Sequence, residues 1–397
     1  MGIFQGLFSP SVKNEELAAV FDIGSSSVCG ALFAIRNTGV PRLVFSVREP
    51  IAPMGQMNPE EFLAQTLKTL DVAAGKIATG RHGAPKRIFC ALASPWYISE
   101  NRIIKFDKTA PFVFNAKLAD SLIQKEIELF EKDRLAKYVE SGNKVRPIEL
   151  KNIKTVLNGY EVIDPSNQKA KHLEMTLFVS LSGEYVLQKI EEISFRHFHK
   201  REVKFFSFLM ASFTVVRDMY VHQEDFLLVD IGGEVTDISM VKQNLLRESV
   251  SYPIGRNFII RGVAEALKCN MEEARSFFSL YKDGHAESGL KVKMDPIISN
   301  LKTEWLKKFQ SSLANLSNDI SIPASIFITI EKEYEDFFAE IIKTEQFNQY
   351  TLTESKFQVI FLNSERLHGV ALFEDSAIRD TFLIIDSIYI NRFLGHK

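Results

Sequence analysis

Two stretches of this sequence decide its fold: LAAVFDIGSSSVCGALFAI (residues 17–35) and DFLLVDIGGEVTDISMVKQNLL (residues 225–246). In each stretch an apolar run ends in Asp-Ile-Gly, small or hydroxyl residues follow, and a second apolar run begins. Apolar runs bounded by turn residues are typical of buried strands. Each stretch therefore predicts a β-hairpin, and together they indicate that the chain builds the same unit twice.

The composition indicates two domains and argues against several classes of protein. The chain has 397 residues, 46% of them apolar, which is more than one ordinary domain needs. Its formal charge of −2 gives no reason to expect nucleic acid as a partner, and the basic cluster Arg196–Lys204 is too short to change that. No run approaches about 18 uncharged apolar residues, so no membrane span is predicted. No secretory signal precedes the fold, which favours an intracellular protein.

The three cysteines also favour an intracellular protein. Cys29, Cys90 and Cys269 are scattered, without a C-x-x-C motif or a spacing typical of disulfides. They are interpreted as small buried hydrophobic residues in a reducing cytosol. We therefore expect a cytoplasmic protein.

The first eight residues, MGIFQGLF, place Ile3, Phe4, Leu7 and Phe8 on one face at helical spacing before Ser9-Pro10. This pattern favours a short segment that docks on a partner or touches the membrane. The alternative is a frayed tail that folds back on its own domain, because eight residues are too few for a stable surface helix. A myristoylation signal is rejected, since Gly6 stands where Ser or Thr is required.

The rest of the chain follows a β/α pattern with one interruption. A helix is predicted from Asn58, its N-cap, with Pro59 in the first turn, and the buried strand KRIFCALASP (86–95) follows. Next come a helix capped by Asn115 and two strands within residues 153–182. These elements, closing on the strand within 86–95, predict a small α+β module inserted into the first β/α half.

The two hairpins together could hold a nucleotide. Glycine and small residues let backbone N–H groups point at a phosphate, and an Asp at the strand end can coordinate the hydration shell of Mg²⁺. One Asp-x-Gly alone is weak, since turns use these residues constantly, but two facing copies predict a clamp for ATP and Mg²⁺. No P-loop motif is present.

The predicted metal positions are Asp22 and Asp230. The first loop comprises Asp22, Gly24, Ser25, Ser26 and Ser27, and the second Asp230, Gly232, Gly233, Thr236 and Asp237.

With these motifs the chain resembles the actin-like ATPases, the superfamily of actin, heat-shock ATPases and sugar kinases. More narrowly it resembles the bacterial division protein FtsA and its pilus relative PilM, over roughly residues 17–390. The resemblance is carried by NIKTVLNGYEVID (152–164) and HLEMTLFVSLS (172–182), and by the run from Leu228 to Phe278. It implies that Gly255 belongs to the nucleotide site and that Glu273 and Arg275 lie beside the nucleoside.

The resemblance implies an α/β protein with a two-domain actin-like ATPase fold and an FtsA-type inserted module in the first domain. The predicted parts are an N-terminal tail 1–16, a first domain 17–84 and 183–224, the module 85–182, and a second domain with the closing helix 225–390, whose helical subdomain is about 255–320.

Three positions depart from the family pattern. Arg256 follows Gly255 where the family has a second glycine, and Glu234 stands where a small residue is usual. Ile330 and Glu331 occupy the place of a Gly-Gly turn on which the purine lies, and they would crowd the base. These departures predict weak ATP binding, slow turnover, or a pseudo-ATPase.

The function that the resemblance implies first is an FtsA-like scaffold, with a PilM-like scaffold and a small-molecule kinase as alternatives. An FtsA-like protein would polymerise at the inner membrane surface and tether filaments of the tubulin-like protein FtsZ. A PilM-like protein would bind the tail of a membrane protein and organise a type IV pilus platform. Such proteins lack the C-terminal membrane helix of FtsA, and the last helix of this sequence is predicted to be the closing helix of the fold instead. A small-molecule kinase of the same fold would need a catalytic Asp, for which we find no candidate.

Overall fold

The computed structural model describes residues 15–138, 144–200, 202–316, 321–343 and 357–395. The tail prediction for residues 1–8 lies outside these ranges. In chain order the strands are β1 (Glu16–Ile23), β2 (Ser27–Ile35), β3 (Arg42–Pro50), β4 (Arg87–Leu92), β5 (Ile98–Val113), β6 (Val145–Leu157), β7 (Tyr160–Glu161), β8 (Lys169–Gly183), β9 (Val203–Ser207), β10 (Phe226–Ile231), β11 (Thr236–Lys242), β12 (Leu245–Tyr252), β13 (Ser325–Thr329), β14 (Gln358–Phe361) and β15 (Leu372–Phe373).

Two helices begin at the predicted caps. Asn58 accepts hydrogen bonds from the backbone N–H groups of Glu60 (3.0 Å) and Glu61 (3.2 Å), and Asn115 from Leu118 (2.9 Å), so both N-cap predictions are confirmed. The helices are α1 (Pro59–Thr79), α2 (Ala116–Tyr138), α3 (Glu184–Phe198), α4 (Phe208–Met219), α5 (Asn257–Leu267), α6 (Met271–Lys282), α7 (Ser288–Leu316), α8 (Glu335–Lys343) and α9 (Thr381–Tyr389), which continues as a π-helical turn (Ile390–Leu394).

Two sheets repeat one topology. The first has the order β15-β3-β2-β1-β4-β9 and the second β12-β11-β10-β13-β14. In both, two antiparallel pairings (β3-β2-β1 and β12-β11-β10) are followed by two parallel ones (β1-β4-β9 and β10-β13-β14). The internal duplication predicted from the two hairpins is therefore confirmed.

Each hairpin register brings its aspartate to the same position. Asp22 lies opposite Cys29 near the turn of β1–β2, and Asp230 lies opposite Asp237 near the turn of β10–β11. In each sheet, the first strand of the hairpin also pairs with a parallel strand: β1 pairs with β4, and β10 pairs with β13. The two loops thus leave equivalent edges of the two sheets.

The inserted module has a sheet of its own, with the order β5-β8-β6-β7 and all pairings antiparallel. Helix α2 covers it, with Phe130 fully buried in the core of the module. The prediction that the strand within 86–95 closes this sheet is wrong, because β4 pairs with β1 and β9 in the first sheet. The apolar run of β4 is buried there between two parallel neighbours, as such runs require.

The central core lies between the two sheets, where α4 and α9 pack on each other. Helix α9 also contacts β1 and β2, and β15 pairs with β3. The prediction that places the closing helix with the second domain, residues 225–390, therefore needs correction: the end of the chain returns to the first sheet. Its nearly uninterrupted apolar sequence needs a site that is covered on every side.

Cys29 and Cys90 are buried as predicted, and Cys269 is partly buried. Within the described ranges, every helix is too short or too polar to cross a bilayer.

Candidate functional site

The two hairpin loops contact each other directly. The backbone N–H of Glu234 donates to the Ser25 hydroxyl oxygen at 3.1 Å. A Cβ atom added to Gly233 would lie 2.7 Å from the carbonyl oxygen of Ser25 and from Cβ of Ser26, a separation that real Cβ atoms essentially never show. The structure therefore brings the two predicted loops together, but leaves no gap between them at this point.

A third segment closes on the second loop. The N–H of Arg256 donates to the carbonyl oxygen of Gly232 (3.0 Å), and the N–H of Asn257 donates to that of Gly233 (2.8 Å). A Cβ atom on Gly255 would lie 2.5 Å from the Gly232 carbonyl oxygen, so only glycine fits there. Gly255 thus belongs to the site as a close backbone contact.

Both turns use their own amides internally. Gly24 donates to the carbonyl oxygen of Ser27 at 3.1 Å, and Gly232 donates to that of Val235 at 3.0 Å. The Thr236 hydroxyl donates to the carbonyl oxygen of Ile254 at 2.7 Å. These donors, which the sequence analysis assigned to phosphate binding, already have partners within the protein.

Glu234 faces away from the first loop. Its buried carboxylate accepts from Arg261 at 2.7 Å and from the Asn257 side chain at 2.8 Å, both on α5. The unusual acid in the second loop is therefore compensated by a cation of its own domain.

Arg48, at the end of β3, spans the cleft between the two halves. Its guanidinium donates to the Ser27 hydroxyl (2.7 Å), to Asp380 (2.7 Å) and to Glu331 (2.6 Å). The same Glu331 oxygen also pairs with Arg256. We call this set the Arg48–Glu331–Arg256 bridge; it stands where the sequence analysis placed the turn that would carry a purine.

Beside the bridge lies a cavity of about 210 Å³. This is smaller than the roughly 300–1,000 Å³ of typical small-molecule pockets. Arg275 lines it, whereas Glu273 completes the α6 capping box by accepting from the N–H of Asn270 at 3.1 Å. The lining residues are Ser26, Ser27, Arg48, Pro50, Ile51, Pro53, Arg256, Asn257, Ile260, Arg275, Glu331 and Tyr334.

The two predicted metal-binding aspartates do not line this cavity. Asp22 is 3% exposed, and burial, together with the nearby Asp380 carboxylate, raises its pKa well above the usual range. Burial, followed by the charge of Asp237, raises the pKa of Asp230 to about 7. Thr329 donates to Asp230 at 2.7 Å.

Asp237 is held from both sides of the interface between the two halves. Its Oδ1 accepts from the hydroxyl groups of Ser94 (2.9 Å) and Ser251, and burial raises its pKa to about 6. Asp230 and Asp237 both line a cavity of about 20 Å³, which has room for one water molecule.

These observations test whether the residues fit Mg-ATP. The Gly24 and Gly232 amides are engaged within their own turns, the bridge crosses the cleft, and the two aspartates do not line the cavity beside it. In the parts of the chain described above, no three His, Cys, Asp or Glu side chains form a group that could hold a metal ion. In this arrangement the site does not fit Mg-ATP, and the ATP, Mg²⁺ and metal-ligand assignments stay predictions.

Sequence reasoning missed Arg48, Asp380 and Asp386. Asp386, within the apolar run of α9, is fully buried, and neither carboxylate oxygen has a hydrogen-bond partner among the described residues. Burial and the nearby Asp22 raise its pKa well above the usual range. The sequence could have indicated Asp386, because it is a lone acid within an apolar helix. No feature of the sequence indicates that Arg48 pairs with Asp380.

A second interface between the two halves is open. The edge strand β5 of the module faces the edge strand β12 of the second sheet across a groove of about 580 Å³. The Asn101 side-chain amide ties the two strands together, because it donates to the carbonyl oxygens of Leu246 and Arg247, the latter at 2.7 Å. Exposed Ile103 also lines the groove.

Comparison with known proteins finds similar solved structures but no similar sequence family. No family model matches the chain, and no curated protein matches it. Among solved structures it is similar to the PilM-PilN type IV pilus biogenesis complex, with 13% identity and a TM-score of 0.59 over 95% of this chain and 96% of that chain. The chain has the actin-like ATPase fold. The predicted fold class is confirmed.

Weaker similarities to proteins of the actin-like fold accompany this one. The ethanolamine utilization protein EutJ from Carboxydothermus hydrogenoformans is 11% identical, with a TM-score of 0.42 over 89% of this chain and 86% of that one. A Bacteroides thetaiotaomicron protein described as having an actin-like ATPase fold and unknown function is 8% identical, with a TM-score of 0.40 over 90% of this chain and 94% of that one.

Proposed function

We propose that this protein is a cytoplasmic scaffold that binds a segment of a membrane protein and organises a type IV pilus platform. The observation that carries the proposal is the similarity to the PilM-PilN complex, which extends over 95% of the chain and so includes the inserted module. PilM-PilN is by its title a complex of two proteins, which supports a binding partner for this chain too. Location at the inner face of the membrane is part of the proposal.

The site geometry supports binding over catalysis. Glu331 is the one carboxylate among the residues that line the 210 Å³ cavity, and it is paired with two arginines. The cavity thus offers no carboxylate other than one that is already engaged by two guanidinium groups, whereas a general base must be available to the proton it accepts. A small-molecule kinase is therefore not supported by this cleft.

The experiment is capture of native partners on the purified full chain, with and without Mg-ATP, read by mass spectrometry. Recovery of pilus-assembly membrane proteins supports the proposal. Recovery of a tubulin-like filament protein would overturn the pilus assignment and restore the FtsA-like role, with self-polymerisation and membrane tethering. Recovery of neither class would overturn the scaffold itself.

A matched bait sharpens the assay. Deleting residues 1–10 tests whether the apolar tail provides the docking or membrane contact, and unchanged recovery would place that contact elsewhere on the chain. We expect recovery of partners to be equal with and without Mg-ATP, because the cleft is closed by the protein's own side chains.

A further inference from the structure

We infer that Arg48 and Arg256 form an oligophosphate-binding site that Glu331 of the same chain occupies, so that the site is autoinhibited. Glu331 Oε1 accepts from Arg48 at 2.6 Å and also pairs with Arg256. The two arginines come from different halves of the molecule, one from the end of β3 and the other from the start of α5. One carboxylate thus joins two cations that no local sequence feature brings together.

Burial makes this contact specific. The Arg256 side chain is 6% exposed, and its guanidinium lies 5.0 Å from the centroid of the Tyr334 ring. Glu331 is 19% exposed and Arg48 26%. A cation this deeply buried needs a counter-charge, because water solvates it poorly. Arg48 also has Asp380 as a partner, whereas Glu331 is the one carboxylate that forms an ion pair with Arg256 among the described residues.

The charge count shows what removal of Glu331 would do. Arg48, Arg256, Glu331 and Asp380 together carry two positive and two negative charges. Without Glu331 the set carries a net charge of +1 and two guanidinium groups lose an acceptor. Such a forked pair of donors is suited to phosphate oxygens.

The surroundings favour an anion with several oxygens. The hydroxyl groups of Ser26 and Ser27, the Asn257 amide and the Arg275 guanidinium line the adjoining cavity. The backbone N–H groups of Arg256 and Asn257 at the start of α5 already donate to carbonyl oxygens of the second loop, so the donors toward the cavity are side chains. The groups that face the cavity are thus mostly donors, and the ligand class is an oligophosphate, either inorganic or carried by a nucleotide.

Two residues that depart from the family pattern form one ion pair. Arg256 and Glu331 each stand where the family resemblance implies glycine, and in the structure they pair with each other. The inference does not depend on the partner proposed above, because it concerns the cleft and not the surface of the scaffold.

The test measures binding of inorganic tripolyphosphate to the full chain by titration calorimetry at low ionic strength. We expect Glu331→Ala to bind at least tenfold more tightly than the wild type. Glu331→Gln removes the charge and keeps the shape, so it serves as the second variant if the alanine variant does not fold. The double variant E331A/R256M should bind no better than the wild type.

Glu365→Ala is the matched control, since it removes one acid that is 78% exposed, pairs with Lys332 and does not line the cavity. It should bind like the wild type. Tripolyphosphate affinity that is equal in wild type and both Glu331 variants would overturn the inference. Equal gains in Glu331→Ala and Glu365→Ala would also overturn it, as a general charge effect. A parallel titration with ATP distinguishes the sources: tighter binding than tripolyphosphate assigns the cavity to a nucleotide, and equal binding assigns the site to phosphate alone.

Discussion

The two interfaces between the halves of this molecule differ in how they are closed. At the cleft, the hairpin loops touch, glycines allow backbone to meet backbone, and the Arg48–Glu331–Arg256 bridge ties the halves together. At the groove between β5 and β12, a cavity of about 580 Å³ separates two edge strands, and Asn101 provides the tie.

The comparison shows where an actin-like fold of this kind keeps its adaptable surface. Close packing transmits strain, so substitutions at the cleft should cost stability and alter ligand binding. Edge strands that are joined by few side-chain contacts tolerate change and can pair with other chains. We therefore expect the largest effects at the cleft and the smallest at the groove.

The largest effect is expected for Gly255→Ala. Its Cβ would meet the second loop at 2.5 Å from the Gly232 carbonyl oxygen, and backbone cannot move aside as a flexible side chain can. We expect a loss of about 3 kcal/mol in the free energy of unfolding, measured by urea denaturation. Gly289→Ala is the control, because a Cβ there meets nothing within 4 Å. Equal stability of the two variants would contradict the closed contact.

The next effect depends on pH. The neutral form of Asp230 is favoured in the folded state, where its pKa is raised to about 7, while the unfolded chain ionises near the ordinary value of 3.8. Stability from this group is therefore complete below about pH 4 and falls as the pH rises toward 7. Asp230→Asn should remove this dependence and gain about 2 kcal/mol relative to wild type between pH 5 and pH 8.

Thermal unfolding at both pH values measures this difference. Asp120→Asn, at an exposed position of α2, makes the same chemical change at the surface and should show no such pH dependence. A pH-independent difference between wild type and Asp230→Asn would mean that Asp230 is ionised throughout.

A smaller effect is expected for Tyr389→Phe. The Tyr389 hydroxyl donates to buried Glu149 of the module, whose other oxygen accepts from the Ser207 hydroxyl at 2.7 Å. Removing one donor to this carboxylate should cost about 1.5 kcal/mol in unfolding free energy. Tyr185→Phe, at a ring that is 57% exposed, should cost less than a third of that. If Tyr389→Phe lowered the unfolding free energy by less than Tyr185→Phe does, the hydrogen bonds to Glu149 would not anchor the module.

The smallest effect is expected for Asn101→Ala in the groove. It removes two side-chain hydrogen bonds to β12 carbonyl groups, but it also removes the buried Oδ1 atom of Asn101, which has no partner among the described residues, so the net loss should be about 0.5 kcal/mol. Hydrogen exchange of β5 and β12 should rise while that of β1 and β10 is unchanged. A loss as large as that of Gly255→Ala would mean that the groove, like the cleft, is closed by packing.

Local features of the sequence account for much of the architecture. The two hairpins, the Asn58 and Asn115 caps and the inserted module follow from apolar runs, cap residues and turns, all of which act over a few residues. The sheet to which β4 belongs did not follow, because a buried apolar strand is compatible with either neighbouring sheet.

In the candidate site, too, some features follow from local sequence and others only from the tertiary structure. The sequence by itself determined that two Asp-Ile-Gly loops exist and that Arg256 and Glu331 are unusual there. Only the tertiary structure decided that the loops touch and that these two residues pair with each other and with Arg48. Asp380 is 332 positions from Arg48, and Glu331 is 283 positions from it. No local pattern encodes contacts over such separations, because they form only when both sheets and the closing helix are in place.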